Sequence, residues 1–255
     1  MTITPARGQY RQVADIIRAE IEHEIYLRGS MLPTEHELAQ RFGVSRQTIN
    51  RALAILQAEG LVKIERPRGT RVHELPPILR DAARRHSRAH RERGGSRGAL
   101  ATELAELGYE LTSENTVSRG SAPEPIAEIL GVDPDAVSVV IRDRRMRANG
   151  VPIQIVTSYI PLDIAAGTPI EQEDPGVGGI SSRLADLGHA QVEIEERIRV
   201  RPPTSEEARF LRMTEDQRVY EITHIGWTAE NRAVKVSLYT MPTHQWDLRY
   251  RYPID

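Results

Sequence analysis

The sequence predicts an α+β protein with two domains joined by a basic linker, and two observations support this fold class. In residues 9–74, apolar residues recur first at helical spacing and then in alternation, as in helices followed by a short β-rich stretch. From residue 98 onward, the predicted strands and helices lack regular β–α–β alternation, which favours an antiparallel sheet. We expect a first domain at 1–74, a linker at 75–97 and a second domain at 98–255.

The strongest local pattern is LPTEHELAQRFGVSRQTINRALAILQAEGLV, at residues 32–62. Thr34 and Glu37 have the spacing of a capping box, which predicts the start of a helix. Gly43 suits the tight turn that ends this helix, and Ser45 suits the N-cap of the next one. The segment is therefore predicted to form a helix, a short turn and a second helix.

The second of these helices has a core face and a polar face. Ile49, Leu53 and Leu56 recur at i, i+4 and i+7, so they must face the core. Gln47 and Asn50 then face outward. Because arginine pairs with guanine, and asparagine or glutamine with adenine, such a face suits the major groove of DNA. A polar face that meets only solvent is the alternative.

After this helix, the segment VKIERPRGTRVHE predicts a basic β wing. Val62, Ile64 and Val72 alternate around a turn at Pro67–Gly69 that bears Arg66, Arg68 and Arg71. A wing of this kind is expected to lie against the minor groove or the DNA backbone.

Proline and glycine residues mark the ends of the predicted linker, and alternating apolar residues predict the strands of the second domain. Pro76 and Pro77 open the linker, Gly94 and Gly95 close it, and arginines crowd between them. We interpret this stretch as a linker with one partly helical segment. Its arginines form either a flexible basic connector that adds nonspecific phosphate contacts or a solvated connector between the domains. In the second domain we expect helices near 98–108, 180–187 and 204–212, and strands near 111–119, 137–147, 152–160, 190–200, 218–227, 232–241 and 246–252.

The charge distribution agrees with two domains that have different partners. Residues 1–97 contain 18 Arg and Lys against 11 Asp and Glu, a net charge of +7, whereas residues 98–255 have a net charge of −9. A basic N-terminal part suits a polyanionic partner such as double-stranded DNA. An uneven charge on a solvated surface is the alternative.

The composition excludes further classes of protein. The chain has no cysteine, so it can form neither a disulfide nor a thiolate metal site. No basic-then-apolar leader follows Met1 and the apolar runs are short, so we expect no signal peptide, no membrane contact and a cytoplasmic location. We expect no cofactor and no metal ion. A zinc site at His86 and His90, four residues apart, is the alternative.

The first domain resembles the winged helix-turn-helix of GntR-type bacterial regulators. The resemblance rests on YRQVADIIRAEI at 10–21, the 32–62 segment with its VSRxT motif, and PRGTRV at 67–72. Two positions depart from the common pattern, since His36 and Asn50 stand where an arginine is frequent. The TINRAL variant is more typical of the HutC subfamily, named for the histidine-utilisation repressor. The residues expected to bind DNA are His36, Ser45, Arg46, Gln47, Thr48, Asn50, Arg51, Arg66, Arg68, Gly69, Thr70 and Arg71.

The second domain resembles the UTRA effector domain of that subfamily, which has a chorismate-lyase-like fold. The resemblance rests on residues 144–161, 178–189, 202–213 and 219–242. It implies a small-molecule sensor that dimerises through its sheet. Phosphosugar-sensing members carry an arginine pair, two glutamates and a Ser-x-Tyr at positions that correspond here to Arg144, Met146, Val156, Gly179, Ser181 and Lys235.

Only Arg144 keeps its residue type among these six positions, which argues against a phosphosugar. Our hypothesis is a less polar or carboxylate-bearing effector, bound near Arg144, Ser181, Lys235 and Tyr239. A surface position on a strand is the alternative for Lys235.

The sequence therefore predicts a ligand-responsive DNA-binding regulator. We expect a homodimeric repressor that reads an operator with two half-sites and is released by a small molecule. A regulator of a plasmid or mobile element without an effector is one alternative. A lyase-like enzyme is another, but residues 98–255 offer no paired catalytic carboxylates and no nucleophile beside a base.

Overall fold

The computed structural model describes residues 8–65, 67–85, 98–214 and 216–252, and the chain divides into two compact units between Ile78 and Leu79. The predicted α+β class is confirmed, with helices and a short hairpin in the first unit and an antiparallel sheet in the second. No helix in these described ranges is both long and apolar enough to span a lipid bilayer.

The first unit packs its helices around an apolar core. Val13, Ile17 and Ile21 of the first helix are buried together with Leu38 and Leu53 of the two that follow. Since full burial of each such side chain contributes about 1.5–3 kcal/mol, this core holds the helices in place. The elements are α1 Gln9–Glu22, α2 Glu35–Phe42, α3 Arg46–Ala58, β1 Val62–Glu65 and β2 Gly69–Val72.

The second unit contains a six-stranded antiparallel sheet in the order β4-β5-β6-β9-β8-β7, and β3 pairs with β10 in a separate sheet. Its strands are β3 Ile78–Asp81, β4 Leu111–Gly120, β5 Val139–Ala148, β6 Val151–Pro161, β7 Glu193–Arg201, β8 Val219–Trp227, β9 Ala233–Pro242 and β10 Trp246–Arg249. Its helices are α4 Ala82–Arg85, α5 Ala99–Glu106, α6 Glu124–Leu130, α7 Leu162–Ala165, α8 Gly179–Asp186 and α9 Ser205–Leu211.

The two faces of the large sheet have different coverings. On one face, Val139, Tyr159 and Val236 pack against Ile126 of α6 and its neighbours. On the opposite face, Val140, Ile160 and Val234 pack against Ile164 of α7 and Leu184 of α8. Because successive residues of a strand point to opposite faces, the even-numbered residues of β5 and β6 share this second face. After a register shift at Val234, the odd-numbered residues of β9 from Lys235 onward share it too.

One extra residue interrupts the pairing of β5 with β6. Met146 lies opposite Gln154, whereas Arg147 lies opposite Pro152, so Ile153 has no partner on β5. The carbonyl oxygen of Ile153 accepts a hydrogen bond of 2.9 Å from the indole nitrogen of Trp246. The bulge therefore supplies an acceptor for the buried tryptophan at the start of β10.

The segment expected to be a flexible linker is folded in its described part. Residues 78–81 form β3, residues 82–85 form α4, and both Arg80 and Arg85 are buried. Each of these arginines pairs with a carboxylate far along the chain, Glu196 and Glu103 respectively. A charge can be buried when it is paired and hydrogen-bonded, and the local sequence does not reveal such a distant partner.

Candidate DNA interface and effector cavity

Hydrogen bonds fix the ends of α2 and α3 as the sequence predicts. The Thr34 N–H donates to Glu37 at 2.8 Å, and the Glu37 N–H donates to the Thr34 hydroxyl at 3.3 Å. Gly43 then adopts a left-handed φ of 63°, and the Thr48 N–H donates to the Ser45 hydroxyl at 3.2 Å. The turn therefore sets α3 at a defined angle to α2.

The outer face of α3 presents the polar side chains that the sequence predicts there. Arg46, Gln47, Asn50 and Arg51 are exposed, whereas Ile49 on the inner face is buried. Within the described part of the chain, Gln47 and Arg51 make no hydrogen bond or ion pair. These two side chains are available to an external partner.

Arg46 and Asn50 instead contact Glu35, a residue that sequence reasoning missed. A guanidinium nitrogen of Arg46 donates to Glu35 at 3.3 Å. With the Asn50 amide turned so that its nitrogen faces Glu35, that nitrogen lies 2.9 Å from each carboxylate oxygen. An acidic residue in the first turn is ordinary for a helix, so the sequence gives no signal that Glu35 faces α3.

The remaining helical candidates have distinct environments. His36 is exposed on α2. The Ser45 hydroxyl caps α3 and lies 2.9 Å from the Thr48 hydroxyl, so these two side chains also bond to each other. The N-terminus of α3 still offers backbone N–H groups and positive dipole charge to a phosphate.

Two residues of the wing that are predicted to contact DNA make contacts within the protein. Thr70 is only 5% exposed, because alternation along β2 turns it inward with Val72. Arg71 is partly exposed, but it donates to the carbonyl oxygen of Gly29 at 2.6 Å and so holds the wing to the segment after α1. The Thr70 side chain is therefore not placed for DNA, whereas Arg71 has a hydrogen bond within the protein and stays a predicted contact.

The wing tip retains the other predicted groups that the structure describes. Arg68 and Gly69 are exposed, and Gly69 has a φ of 113°, which a side chain rarely tolerates. A Cβ at Gly69 would lie 2.9 Å from the Met31 methyl carbon. Arg66 lies outside the described residues, as do His86 and His90 of the zinc alternative.

In the second unit, one solvent-open cavity brings together all four residues predicted to bind an effector. Arg144 is on β5, Ser181 is on α8, and Lys235 and Tyr239 are on β9. The wall also contains residues that sequence reasoning missed, namely Arg85, Gln154, Ser158, His224 and Ser237.

Strand pairing explains why these residues converge. Arg144 lies opposite Val156, and Val156 lies opposite Tyr239, so the three form one row across β5, β6 and β9. Ser158, Ser237 and His224 form a second row. Cross-strand partners point to the same face, so both rows present their side chains to the cavity side of the sheet.

Lys235 belongs to the cavity wall and is not a surface strand residue. It is 8% exposed, and its ammonium group donates to the Ser181 hydroxyl at 3.2 Å. The Ser181 hydroxyl donates in turn to the amide oxygen of Gln191 at 3.3 Å. This chain of contacts positions a cation at the start of α8.

Arg144 adds a second cation to the cavity. Burial lowers the pKa of Arg144 from its ordinary value, yet an arginine guanidinium remains charged at neutral pH. No hydrogen bond or ion pair within the described ranges engages it. Gln154 contributes a buried amide oxygen that also lacks a described partner. The cavity therefore suits a ligand with an anionic group and a hydrogen-bond donor.

A polar cluster lies beside the cavity wall, on the same face of the sheet as His224. Glu196 on β7 accepts hydrogen bonds from Arg80, from His224 at 2.9 Å and from Tyr250 at 2.6 Å. Burial by itself raises the pKa of Glu196, but these hydrogen bonds hold it well below its ordinary value. Burial lowers the pKa of His224 to about 4, so the ring is neutral and its Nδ1–H donates to the carboxylate.

The comparison with protein families identifies both units. The model of the bacterial regulatory proteins, gntR family, matches residues 9–72, and that of the UTRA domain matches residues 106–246. The chain is a GntR-family transcriptional regulator with a UTRA domain. Regulators of this family bind DNA operators, and UTRA domains bind small-molecule effectors. The predicted family and its HutC-type subfamily are thus confirmed.

Individual relatives agree with the family assignment. The regulator is 28% identical to an uncharacterised HTH-type transcriptional regulator of Streptomyces coelicolor, over 98% of this chain and 96% of the relative. It is 30% identical to the HTH-type transcriptional repressor NagR of Bacillus subtilis, over 61% of this chain and 59% of that one. The solved structure of PhnF from Mycobacterium smegmatis has a TM-score of 0.60 at 21% identity, covers 95% and 99% of the two chains, and shares the fold.

Proposed function

We propose that the regulator is a repressor that acts in the cytoplasm as a homodimer and leaves its operator when a carboxylate-bearing effector occupies the second unit. The cavity that contains Arg144 and Lys235 is the observation that supports ligand release. Charge-assisted hydrogen bonds to a carboxylate are about twice as strong as neutral ones. The half-buried Tyr239 of the cavity wall suits an apolar part of the same ligand.

The DNA-binding part of the proposal rests on the exposed face of α3. Gln47 and Arg51 project outward beside Arg46 and Asn50, while the wing tip presents Arg68. Arginine and amide side chains at the start of such a helix suit base edges in the major groove. Two copies related by a twofold axis would read half-sites about 34–36 Å apart.

An edge of the large sheet supports the dimer. Strand β7 lies at the end of the strand order, and Ile198 and Val200 are exposed on it. Exposed apolar residues on an edge strand favour pairing with another chain. A second copy of the regulator is the partner that we propose.

A gel shift with DNA from upstream of the regulator's own gene tests the proposal. We expect a shifted band at moderate salt, a half-maximal shift that depends on the dimer concentration, and release by one of a panel of small carboxylates. The Arg144→Met variant should shift the DNA but not respond to that carboxylate. The absence of any shift would contradict DNA binding, whereas a shift that no ligand relieves would favour a regulator without an effector.

A lyase-like enzyme receives no support from the relatives, which are transcriptional regulators.

A further inference from the structure

Glu35 is a carboxylate on the face that we propose to enter the major groove, and its position there needs a reason. It lies on α2 but contacts Arg46 and Asn50 of α3, at 3.3 and 2.9 Å. DNA is a polyanion, so a negative charge on the binding face weakens nonspecific affinity. An acidic group that lowers affinity is useful only where it improves selection between sequences.

The stability of α2 accounts for an acidic residue in its first turn, at about 0.3–1 kcal/mol, but not for the contact of the Glu35 carboxylate with α3. The helix already has Glu37, whose carboxylate closes the capping box with Thr34. The ion pair of Glu35 with Arg46 is also open to solvent, because the two side chains are 28% and 68% exposed. Exposed pairs of this kind contribute little to folding.

The contact with Asn50 has a more specific consequence. Only one orientation of the Asn50 amide directs its nitrogen to Glu35, because the reverse orientation would set two oxygens against each other. In this orientation the carbonyl oxygen is turned away from Glu35. A free asparagine can donate or accept, whereas this one offers an acceptor.

We propose that Glu35 is a specificity-determining residue that fixes Asn50 as a hydrogen-bond acceptor and thereby selects a base with an exocyclic amino group. This inference rests on the proposed DNA-binding function. In the major groove, adenine N6 and cytosine N4 are donors, while guanine and thymine present acceptor oxygens. One position of each half-site is therefore adenine or cytosine. Glu35 is a positioning residue, since it acts through Asn50.

Selection from random double-stranded DNA tests the inference without a known operator. The full-length wild-type chain should enrich half-sites with one column that Asn50 reads, where the adenine or cytosine of the base pair supplies the amino donor. The isosteric Glu35→Gln variant can donate as well as accept, so the Asn50 amide can turn over. Discrimination at that column should then fall from about tenfold, a typical value for one base contact, to about twofold or less.

Two further variants locate the effect. The Asn50→Ala variant should lose base discrimination at the same column. Adding Glu35→Gln to this variant should not change the discrimination further. The control is Glu59→Gln, which removes a carboxylate of similar exposure that pairs with Arg18 at 2.8 Å. Because its contact is with α1, its half-site should match that of the wild type.

A measurement on the wild-type chain avoids the case in which Glu35→Gln fails to fold. If adenine occupies the column, DNA that carries purine in its place lacks only the N6 amino group. Binding should fall about tenfold, the value of one good base contact. If cytosine occupies the column, DNA with 2-pyrimidinone in its place, which lacks only the N4 amino group, serves the same purpose.

The outcomes separate the inference from the proposed function. Failure of the wild type to enrich any sequence would contradict DNA reading itself. Two results would overturn the role of Glu35 and leave DNA binding intact. One is that Glu35→Gln enriches the same column with undiminished discrimination, and the other is that removal of the amino group at that base pair leaves wild-type affinity unchanged.

Discussion

The arginines of the two units differ in what surrounds them, although their residue type is the same. Arg46 on α3 is 68% exposed, whereas Arg80 on β3 has no exposed side-chain surface. Arg80 and Arg85 contribute to the basic charge of residues 1–97, yet both pair with carboxylates beyond residue 98. The net charge of the N-terminal part therefore overstates the charge available to DNA by two.

The difference shows that a segment's charge predicts a polyanionic partner only where the cations are exposed. An exposed guanidinium can contact phosphate or a base edge, and it costs little to keep hydrated. A buried guanidinium must have its partner inside the fold, because desolvation of an unpaired charge is costly.

Removal of the Glu196 carboxylate should give the largest effect. In Glu196→Gln, the buried Arg80 loses its ion pair, and His224 and Tyr250 lose an anionic acceptor. Breaking a buried pair in this way costs about 3–5 kcal/mol of unfolding free energy. Urea denaturation measures this loss of unfolding free energy.

The matched control, Glu59→Gln, breaks the exposed pair with Arg18 and should cost less than about 1 kcal/mol. Equal losses would remove the distinction between buried and exposed arginines.

Acid should destabilise the regulator through two buried histidines. Burial lowers the pKa of His73 and that of His224 from 6.5 to about 4. A depressed histidine pKa means that the unfolded chain binds protons first, so each contribution is complete above pH 6.5 and is lost as pH falls to 4. Each shift corresponds to roughly 3 kcal/mol.

Denaturation between pH 4.5 and 7 measures this effect in a range where Glu196 stays ionised. His224→Asn keeps a donor toward Glu196 and should flatten the pH dependence, and His73→Asn should flatten it by a similar amount. A wild-type stability that does not change over this range would contradict neutral buried rings at both positions.

Arg144→Met should weaken effector binding without weakening DNA binding. Loss of one charge-assisted hydrogen bond costs about 1.5–3 kcal/mol, or roughly 10- to 150-fold in affinity. Titration calorimetry with the releasing carboxylate measures the loss. Arg145→Ala is the control, because Arg145 pairs with Glu206 at 2.5 Å and is not part of the cavity wall. Equal losses in both variants would contradict a direct contact with Arg144.

The smallest effect should distinguish two arginines of the wing. Arg68 is exposed at the tip, whereas Arg71 is bonded to the Gly29 carbonyl oxygen. Arg68→Ala should reduce the slope of log affinity against log salt by about 0.9, the contribution of one phosphate contact. Arg71→Ala should keep that slope and lower Tm instead. The reverse result would assign the phosphate contact to Arg71 and not to Arg68.

Local and periodic features of the fold could be predicted from the sequence. Thr34, Gly43 and Ser45 mark helix ends through their own backbone and side-chain hydrogen bonds, so their signal lies within a few residues. Arg144 and Lys235 were predicted as effector-binding residues from the resemblance to UTRA domains, and the structure places both in one cavity. Side chains two positions apart on a strand share a face, so Arg144 implies Met146 and Lys235 implies Ser237. This part of the cavity wall could therefore also be predicted from the sequence.

The features that the sequence did not reveal depend on distant partners. Arg80 and Glu196 are separated by 116 positions, and neither segment has a pattern that identifies the other. Helix α6 did have local signals, since Pro123 precedes it and Gly131 ends it in a left-handed conformation. Its seven residues are too short for a clear helical period, so it was not predicted.

The bulge at Ile153 has a consequence for how the second unit could be rebuilt. The carbonyl oxygen that the bulge frees holds Trp246, and β10, which begins there, pairs with β3 at the start of the unit. The polypeptide therefore enters and leaves this module at neighbouring points. Modules with adjacent termini tolerate circular permutation and insertion into a host loop. We therefore expect that the second unit can be inserted as one continuous segment into another protein. The number of residues in β6 must be kept, because it creates the bulge at Ile153.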